Sequence, residues 1–368
     1  MSAERWRHWS NCVAHFDDGV ETFLRDYFGS NGRTCLLVCG AGFDPRATRL
    51  GELLASVPNL RLAAWLVREE RAGGEEDLRA LADANEQHLR STIATCETIN
   101  IDVFGSDGAS VGGRRIVEAM ESLQVPGGTT DVVLDFSALS TGVAFPTTSY
   151  LLRLAEDRLS DVTVHLVVAS SPETDDGIRS ELDDTVTRIH GFLGPQDEYG
   201  GTTIANVWLP QLARHMGGGL RRIGAYVNDV YKTCPIVPFP ASDPHRADAL
   251  LDEYRNEILD EWSVDARDVI HVAEHNPLDT FRTITTLQDR YGEMATDTFR
   301  PRLVLSPVGS KVVAIGAMMA ALKHSLCVEH IETRRYVLDR DVRDEAPDTS
   351  SRLVHLILDG PLYDAFPG

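Results

Sequence analysis

From residue 35 onward, short apolar runs of strand character alternate with stretches of helical period, and this alternation limits the fold more than any single motif does. The strand candidates are Cys35–Cys39, Leu60–Val67, Thr98–Phe104, Asp131–Phe136, Val162–Ala169 and Thr203–Trp208. Helical patterns lie between them at Ala47–Ser56, Glu76–Ile93, Gly112–Leu123 and Pro146–Leu159. Strand, crossover helix and next strand return the chain in one direction, so an α/β class with mainly parallel sheets flanked by helices is expected.

After Gly217-Gly218-Gly219 the rhythm restarts, with strands at Pro235–Phe239, Val269–Ala273, Leu303–Leu305, Cys327–Ile331 and Leu353–Leu358. Helices are expected at Arg246–Trp262, Leu278–Tyr291 and Lys311–His324. A chain of 368 residues exceeds one ordinary core. The expected organisation is a helical preface over 1–30, a first Rossmann-like domain over 31–216 and a second over 217–368. The charged stretch from Arg340 to Ser351 reads as a solvated loop.

A net charge of −21 argues against binding long nucleic acids or anionic membranes, which need clustered Lys and Arg. It leaves room for a local basic pocket around a small phosphate ligand. The six cysteines are scattered without metal or redox spacing and read as reduced core thiols. No run reaches membrane-spanning length and the start carries no apolar signal segment, so a cytoplasmic location is expected.

Chemistry in an open parallel sheet gathers beyond the carboxyl ends of its strands, where strand order reverses. In the first half, the run Cys35–Cys39 passes into Gly40-Ala41-Gly42-Phe43-Asp44-Pro45-Arg46 and then a helix, bringing free N–H groups and a helix N-terminus together. With the common 3-2-1-4-5 order, this loop faces Asp135-Phe136-Ser137-Ala138-Leu139-Ser140-Thr141-Gly142. Candidate ligand contacts are Gly40, Gly42, Asp44, Arg46, Asp135 and Ser137. The plain alternative is a tight glycine turn with Asp44 capping the helix and Arg46 paired to it. Glu69 and Glu70 stand where ribose contacts are common, although Arg68 and Arg71 make a solvated charge cluster equally natural.

The second half has its own junction, Leu303–Leu305 running through Ser306-Pro307-Val308-Gly309-Ser310-Lys311 into a small-residue helix. Gly309, Ser310 and Lys311 are candidates for a phosphate or nucleotide, with an ordinary capped turn as the alternative. Lys311 is unfavourable to the helix dipole and invites a compensating anion. His275 and Asn276 on a neighbouring loop could read a base or sugar, or serve acid/base chemistry. Equally, Asn276 could cap a helix that opens with Pro277. The Walker pattern, Gly-x-Ser-x-Gly and metal-ligand spacings are all missing, so no catalytic residue and no metal is assigned.

Gly40-Ala41-Gly42-Phe43-Asp44-Pro45-Arg46 resembles the first SAM-binding motif of leucine carboxyl methyltransferase-like enzymes. That resemblance implies Gly40, Gly42 and Arg46 around the methionine part of SAM, with Glu69 or Glu70 on the ribose; Pro45 departs from the usual small polar residue. The second half is similar to CARF-type Rossmann sensors of prokaryotic defence systems, through Gly309-Ser310-Lys311 with the helix Val312–Leu322 and through Asn276-Pro277-Leu278-Asp279-Thr280. It implies a nucleotide or cyclic oligonucleotide ligand and work with partner subunits or as a homo-dimer in antiviral defence. The expected function is therefore nucleotide binding or sensing. The alternatives are a SAM-dependent methyltransferase and a scaffold subunit with vestigial pockets, whose partner face would be Trp6, Trp9 and Phe16.

Overall fold

The computed structural model describes residues 8–30, 32–73, 76–159, 161–195, 203–339 and 351–364. The chain is an α/β protein in two compact units. The first comprises Arg7–Glu181 with Arg334–Gly368, and the second is centred on Leu182–Thr333.

In chain order the elements are β1 (Ala14–Phe16), α1 (Asp18–Phe28), β2 (Thr34–Gly40), α2 (Arg49–Ala55), β3 (Arg61–Glu70), α3 (Glu76–Thr92) and β4 (Thr95–Asp102). There follow α4 (Gly112–Ser122), β5 (Asp131–Asp135), α5 (Thr141–Arg158), β6 (Thr163–Ser170), α6 (Pro172–Gly177), β7 (Ile178–Leu193) and β8 (Thr203–Pro210). Next come α7 (Gly217–Tyr226), β9 (Val230–Thr233), β10 (Ile236–Pro238), α8 (Arg246–Glu253) and β11 (Ile270–Val272). The last are α9 (Pro277–Glu293), β12 (Phe299–Ser306), α10 (Lys311–His324), β13 (Cys327–Leu338), β14 (Arg352–Asp359) and α11 (Pro361–Asp364).

The first unit carries a seven-stranded sheet in the order β1-β14-β6-β5-β2-β3-β4. Its parallel block β4-β3-β2-β5-β6 has the expected 3-2-1-4-5 arrangement, with order reversing between β2 and β5. Every residue of β2 is buried, as a central parallel strand covered on both faces must be. β14 adds antiparallel to β6, and β1 adds antiparallel to β14.

In the second unit a five-stranded sheet runs β7-β13-β12-β8-β9. The parallel pair β10-β11 continues beside the end of β8 through a bridge between Gln211 and Ile236. Strand order therefore reverses between β8 and β12, again a Rossmann-like arrangement. α10 is buried from Val312 to Leu322. Its Gly316 lies so close to α9 that a Cβ there would sit 2.2 Å from the Pro277 carbonyl oxygen and 2.6 Å from Thr280 Cβ.

Several elements differ from the sequence expectation. Within the expected helical preface, the described part has a 3-10 turn over residues 8–11 and α-helix only from Asp18, because Ala14–Phe16 complete the free edge of β14. Trp9 is fully buried, with its indole donating to the Leu358 carbonyl at 2.7 Å, whereas Trp6 lies outside the described residues. α2 starts at Arg49 rather than Ala47, and α5 starts at Thr141, enclosing Pro146 in its second turn instead of opening with it. β8, expected in the domain over 31–216, pairs with β12; β14, expected over 217–368, pairs with β6. The packing boundaries fall inside β7 and β13. Rhythm identifies strands but carries no record of which sheet each one joins. Of the charged stretch from Arg340, only Ser351 lies among the described residues, and among them no helix is long and apolar enough to cross a membrane.

Candidate functional site

At the reversal point of the first unit, β2 and β5 end side by side, with Cys39 opposite Asp135. The residues expected there are together, and they engage one another. Asp44 grips Arg46 in a fork, Nε to Oδ1 at 2.8 Å and Nη2 to Oδ2 at 2.7 Å, and also accepts the Arg46 backbone N–H at 2.9 Å. A second carboxylate, Asp175, takes Arg46 Nη1 at 2.8 Å. Arg46 is 1% exposed. Burial alone would weaken its charge, but the two carboxylates outweigh it and hold the guanidinium ionised.

The loop is pinned further by Asn85, whose amide donates to the carbonyls of Gly42 and Asp44 at 2.8 and 3.2 Å. A Cβ on Gly40 would lie 2.7 Å from the Ala138 carbonyl oxygen, so this glycine admits the neighbouring loop. Asp135 accepts the Ser137 N–H at 2.9 Å, and Ser137 Oγ accepts the Ala169 N–H at 2.8 Å, tying the ends of β5 and β6. Glu69 accepts the N–H of Ser140 at 2.8 Å before α5 and pairs with Arg71 at 2.9 Å. The charge cluster is only partly solvated: the Glu69 and Arg71 side chains are 10% and 9% exposed, whereas Glu70 is 40% exposed.

At the reversal point of the second unit, the ends of β8 and β12 present Gln211 and Gly309-Ser310-Lys311. Gln211 donates its amide to the Ser310 carbonyl at 3.0 Å. A Cβ on Gly309 would come within 2.8 Å of that amide nitrogen. Ser310, the N-cap of α10, makes no side-chain capping bond. Gln211 is 4% exposed, and its Oε1 has no hydrogen-bond partner among the described residues. A buried acceptor left without a donor costs about 1–3 kcal/mol.

Glu274 ties the loops after β10 and β11 together. Its Oε2 accepts the Ser242 N–H at 2.9 Å, Arg246 Nε stands 3.1 Å from Oε1, and His275 Nε2 stands 3.1 Å from Oε2. Burial would raise this carboxyl, yet the His275 and Ser242 hydrogen bonds and the Arg246 charge hold it below the usual range. Ser242 Oγ also meets His275 Nε2, at 2.6 Å. Serine and carboxylate thus share one ring nitrogen. A nucleophilic relay needs them on opposite nitrogens, so Ser242, His275 and Glu274 do not form one. Asn276 Oδ1 accepts the Leu278 N–H at 3.1 Å and caps α9, which opens with Pro277.

One cluster in the first unit is absent from the sequence expectation. Across four neighbouring strands, His15, His355, His165 and Asp131 form a continuous hydrogen-bonded row with spacings of 3.0, 3.0 and 3.2 Å. Asp131 also accepts from Tyr27 at 2.8 Å and Thr130 at 2.6 Å. Burial would raise the Asp131 carboxyl, but these donors and His165 outweigh it and keep it below the usual range. With Asp131 ionised, one proton order satisfies the row. His165 donates Nε2–H to Asp131, His355 donates Nε2–H to His165, and His15 donates Nδ1–H to His355.

Burial lowers all three histidines, His355 most strongly, so each is neutral in the native state near pH 7. The unfolded chain protonates them near 6.5. Their contribution is present above that pH and is lost as the pH falls below it. For the fully buried His165 and His355, chemical denaturation at pH 7 and pH 5.5 should show a loss of about 2 kcal/mol. His355→Leu should flatten that slope, and an unchanged slope would contradict the neutral row.

No family model matches this chain. No curated protein matches it either. A solved reductase domain from an aureusimine biosynthetic cluster is similar at 13% identity and a TM-score of 0.23, covering 51% of this chain and 45% of that chain. The chain therefore spans less than half of that neighbour, and a likeness of this grade carries no functional argument.

Proposed function

We propose that the second unit binds a nucleotide-like anion at the edge where β8 and β12 part, and that the chain is a nucleotide sensor working with partner subunits. The bare Oε1 of buried Gln211, beside Gly309 and the N-terminus of α10, carries this reading. A helix N-terminus with Lys311 in its first turn favours phosphate, and the Gln211 acceptor takes an N–H or O–H from the same ligand. The resemblance to CARF-type sensors supports a role in prokaryotic antiviral defence and makes a cyclic oligonucleotide a natural candidate. SAM at the first junction is less favoured, since Arg46 would have to leave two carboxylates to meet it.

Calorimetric titration with mononucleotides and with linear and cyclic oligonucleotides tests the reading. At least one should bind the wild type, and Lys311→Ala should weaken it about tenfold, the loss of one charge-assisted contact. Binding by none of them would remove the proposal.

A further inference from the structure

The histidine row of the first unit can hold its protons in two orders without moving a ring. His15 meets His355 through Nδ1 of each at 3.0 Å, His355 Nε2 meets His165 Nδ1 at 3.0 Å, and His165 Nε2 meets Asp131 Oδ1 at 3.2 Å. Both nitrogens of His165 and of His355 are therefore engaged inside the row, whereas His15 has its Nε2 outside it. His15 lies on the edge strand β1 and is partly exposed, while His165, His355 and Asp131 are wholly buried.

In the order set by ionised Asp131, every N–H points toward the carboxylate and the three rings carry one proton each. A fourth proton bonding to His15 Nε2 makes that ring a cation far from any buried anion. Two transfers along existing hydrogen bonds relieve it. The His15 Nδ1–H bond breaks as His355 Nδ1–H forms, and the His355 Nε2–H bond breaks as His165 Nδ1–H forms. His165 now holds both its protons, and its Nε2–H still donates to Asp131. Each hydrogen bond again has one donor and one acceptor, and the added charge lies against a carboxylate.

We infer that the row is a one-proton relay, which takes a proton from solvent at His15 and stores it on His165 beside Asp131 by reversing the direction of its N–H bonds. The surroundings suit a stored cation. Asp131 accepts from Tyr27 of α1 and from Thr130, and Cys35 of β2 stays a neutral thiol beside it. The rings of Tyr27 and Phe28 flank His165, and Phe23 stacks on both His15 and His355. Arg33 opposes the stored charge from the far side of Asp131, at 3.4 Å from the carboxylate, but is 29% exposed and so screened by water. Acidity at the edge strand thus alters the charge balance where α1 is tied to β5.

Long-range proton–nitrogen NMR on the full 15N-labelled chain tests this, because ring nitrogen shifts distinguish the Nδ1–H, Nε2–H and imidazolium forms. Burial lowers all three rings, so the change should come below the ordinary histidine value. His15 should pass from Nδ1–H to Nε2–H and His355 from Nε2–H to Nδ1–H as His165 becomes the imidazolium, all with one midpoint. His355→Leu removes the middle ring, so His15 should then become an imidazolium by itself while His165 stays neutral at that midpoint. Asp131→Asn removes the balancing charge and should lower the wild-type midpoint by at least one pH unit, a tenfold loss of proton affinity. Three results would each overturn the inference: His15 becoming an imidazolium in the wild type while His355 keeps its Nε2–H, unfolding before any of the three rings changes, or His165 titrating with His15 in His355→Leu as it does in the wild type.

Discussion

Gly316→Val should unfold the second unit at markedly lower temperature than the wild type. The first added carbon would lie 2.2 Å from the Pro277 carbonyl oxygen and 3.0 Å from the Phe281 backbone nitrogen, and backbone atoms of a capped helix turn cannot swing aside. α9 and α10 must separate, which uncovers Phe281 and Ile284 on one helix and the wholly buried face of the other. Overpacking of this kind costs about 3 kcal/mol. In a unit of this size that lowers the melting temperature by roughly 6–12 °C. Because α9 and α10 open at the edge holding Asn276 and Ser310, the variant should also lose any ligand bound there. Thermal unfolding followed by circular dichroism would show it, and a wild-type melting curve would mean that the two helices do not pack as closely as described.

Arg46→Met should be comparably severe in the first unit. It removes the cation shared by Asp44 and Asp175 and leaves Asp44, 6% exposed, as a buried anion. Breaking such a pair from one side costs about 3–5 kcal/mol. The triple change Asp44→Asn, Arg46→Met, Asp175→Asn removes all three charges and should recover much of that loss. Urea unfolding distinguishes the cases. Equal stability of Arg46→Met and the wild type would show that the cluster contributes nothing, and would reopen Arg46 as a ligand contact.

Local signals were legible where chemistry and backbone agree over a few residues. The strands β2 and β5, the helix α10 from Lys311 to His324, and the Asn276-Pro277 start of α9 follow directly from apolar runs and capping residues. Pairing was not legible. β7 alternates exposed charges with half-buried positions, as an exposed strand does, and offers no apolar run to find. The membership of β14 depends on β6, far away in sequence.

The candidate residues at the two junctions came together as the strand order required. Whether their charges face a ligand or each other depended on Asp175, which lies 129 residues from Arg46. The histidine row was hidden for the same reason, His165 and His355 being 190 residues apart. It left one trace: each stands alone inside an apolar strand, Thr163–Ser170 and Arg352–Asp359, where an unpartnered imidazole would be costly.

The central claim is that ligand enters at Gln211 and Gly309-Ser310-Lys311, while the Gly40 to Arg46 loop stays closed on its own ion pairs. Amide hydrogen exchange with and without a nucleotide whose binding Lys311→Ala weakens tests it most directly. The account predicts added protection over residues 306–316, lost in Lys311→Ala, and no change over residues 40–46. Protection confined to residues 40–46 would contradict it.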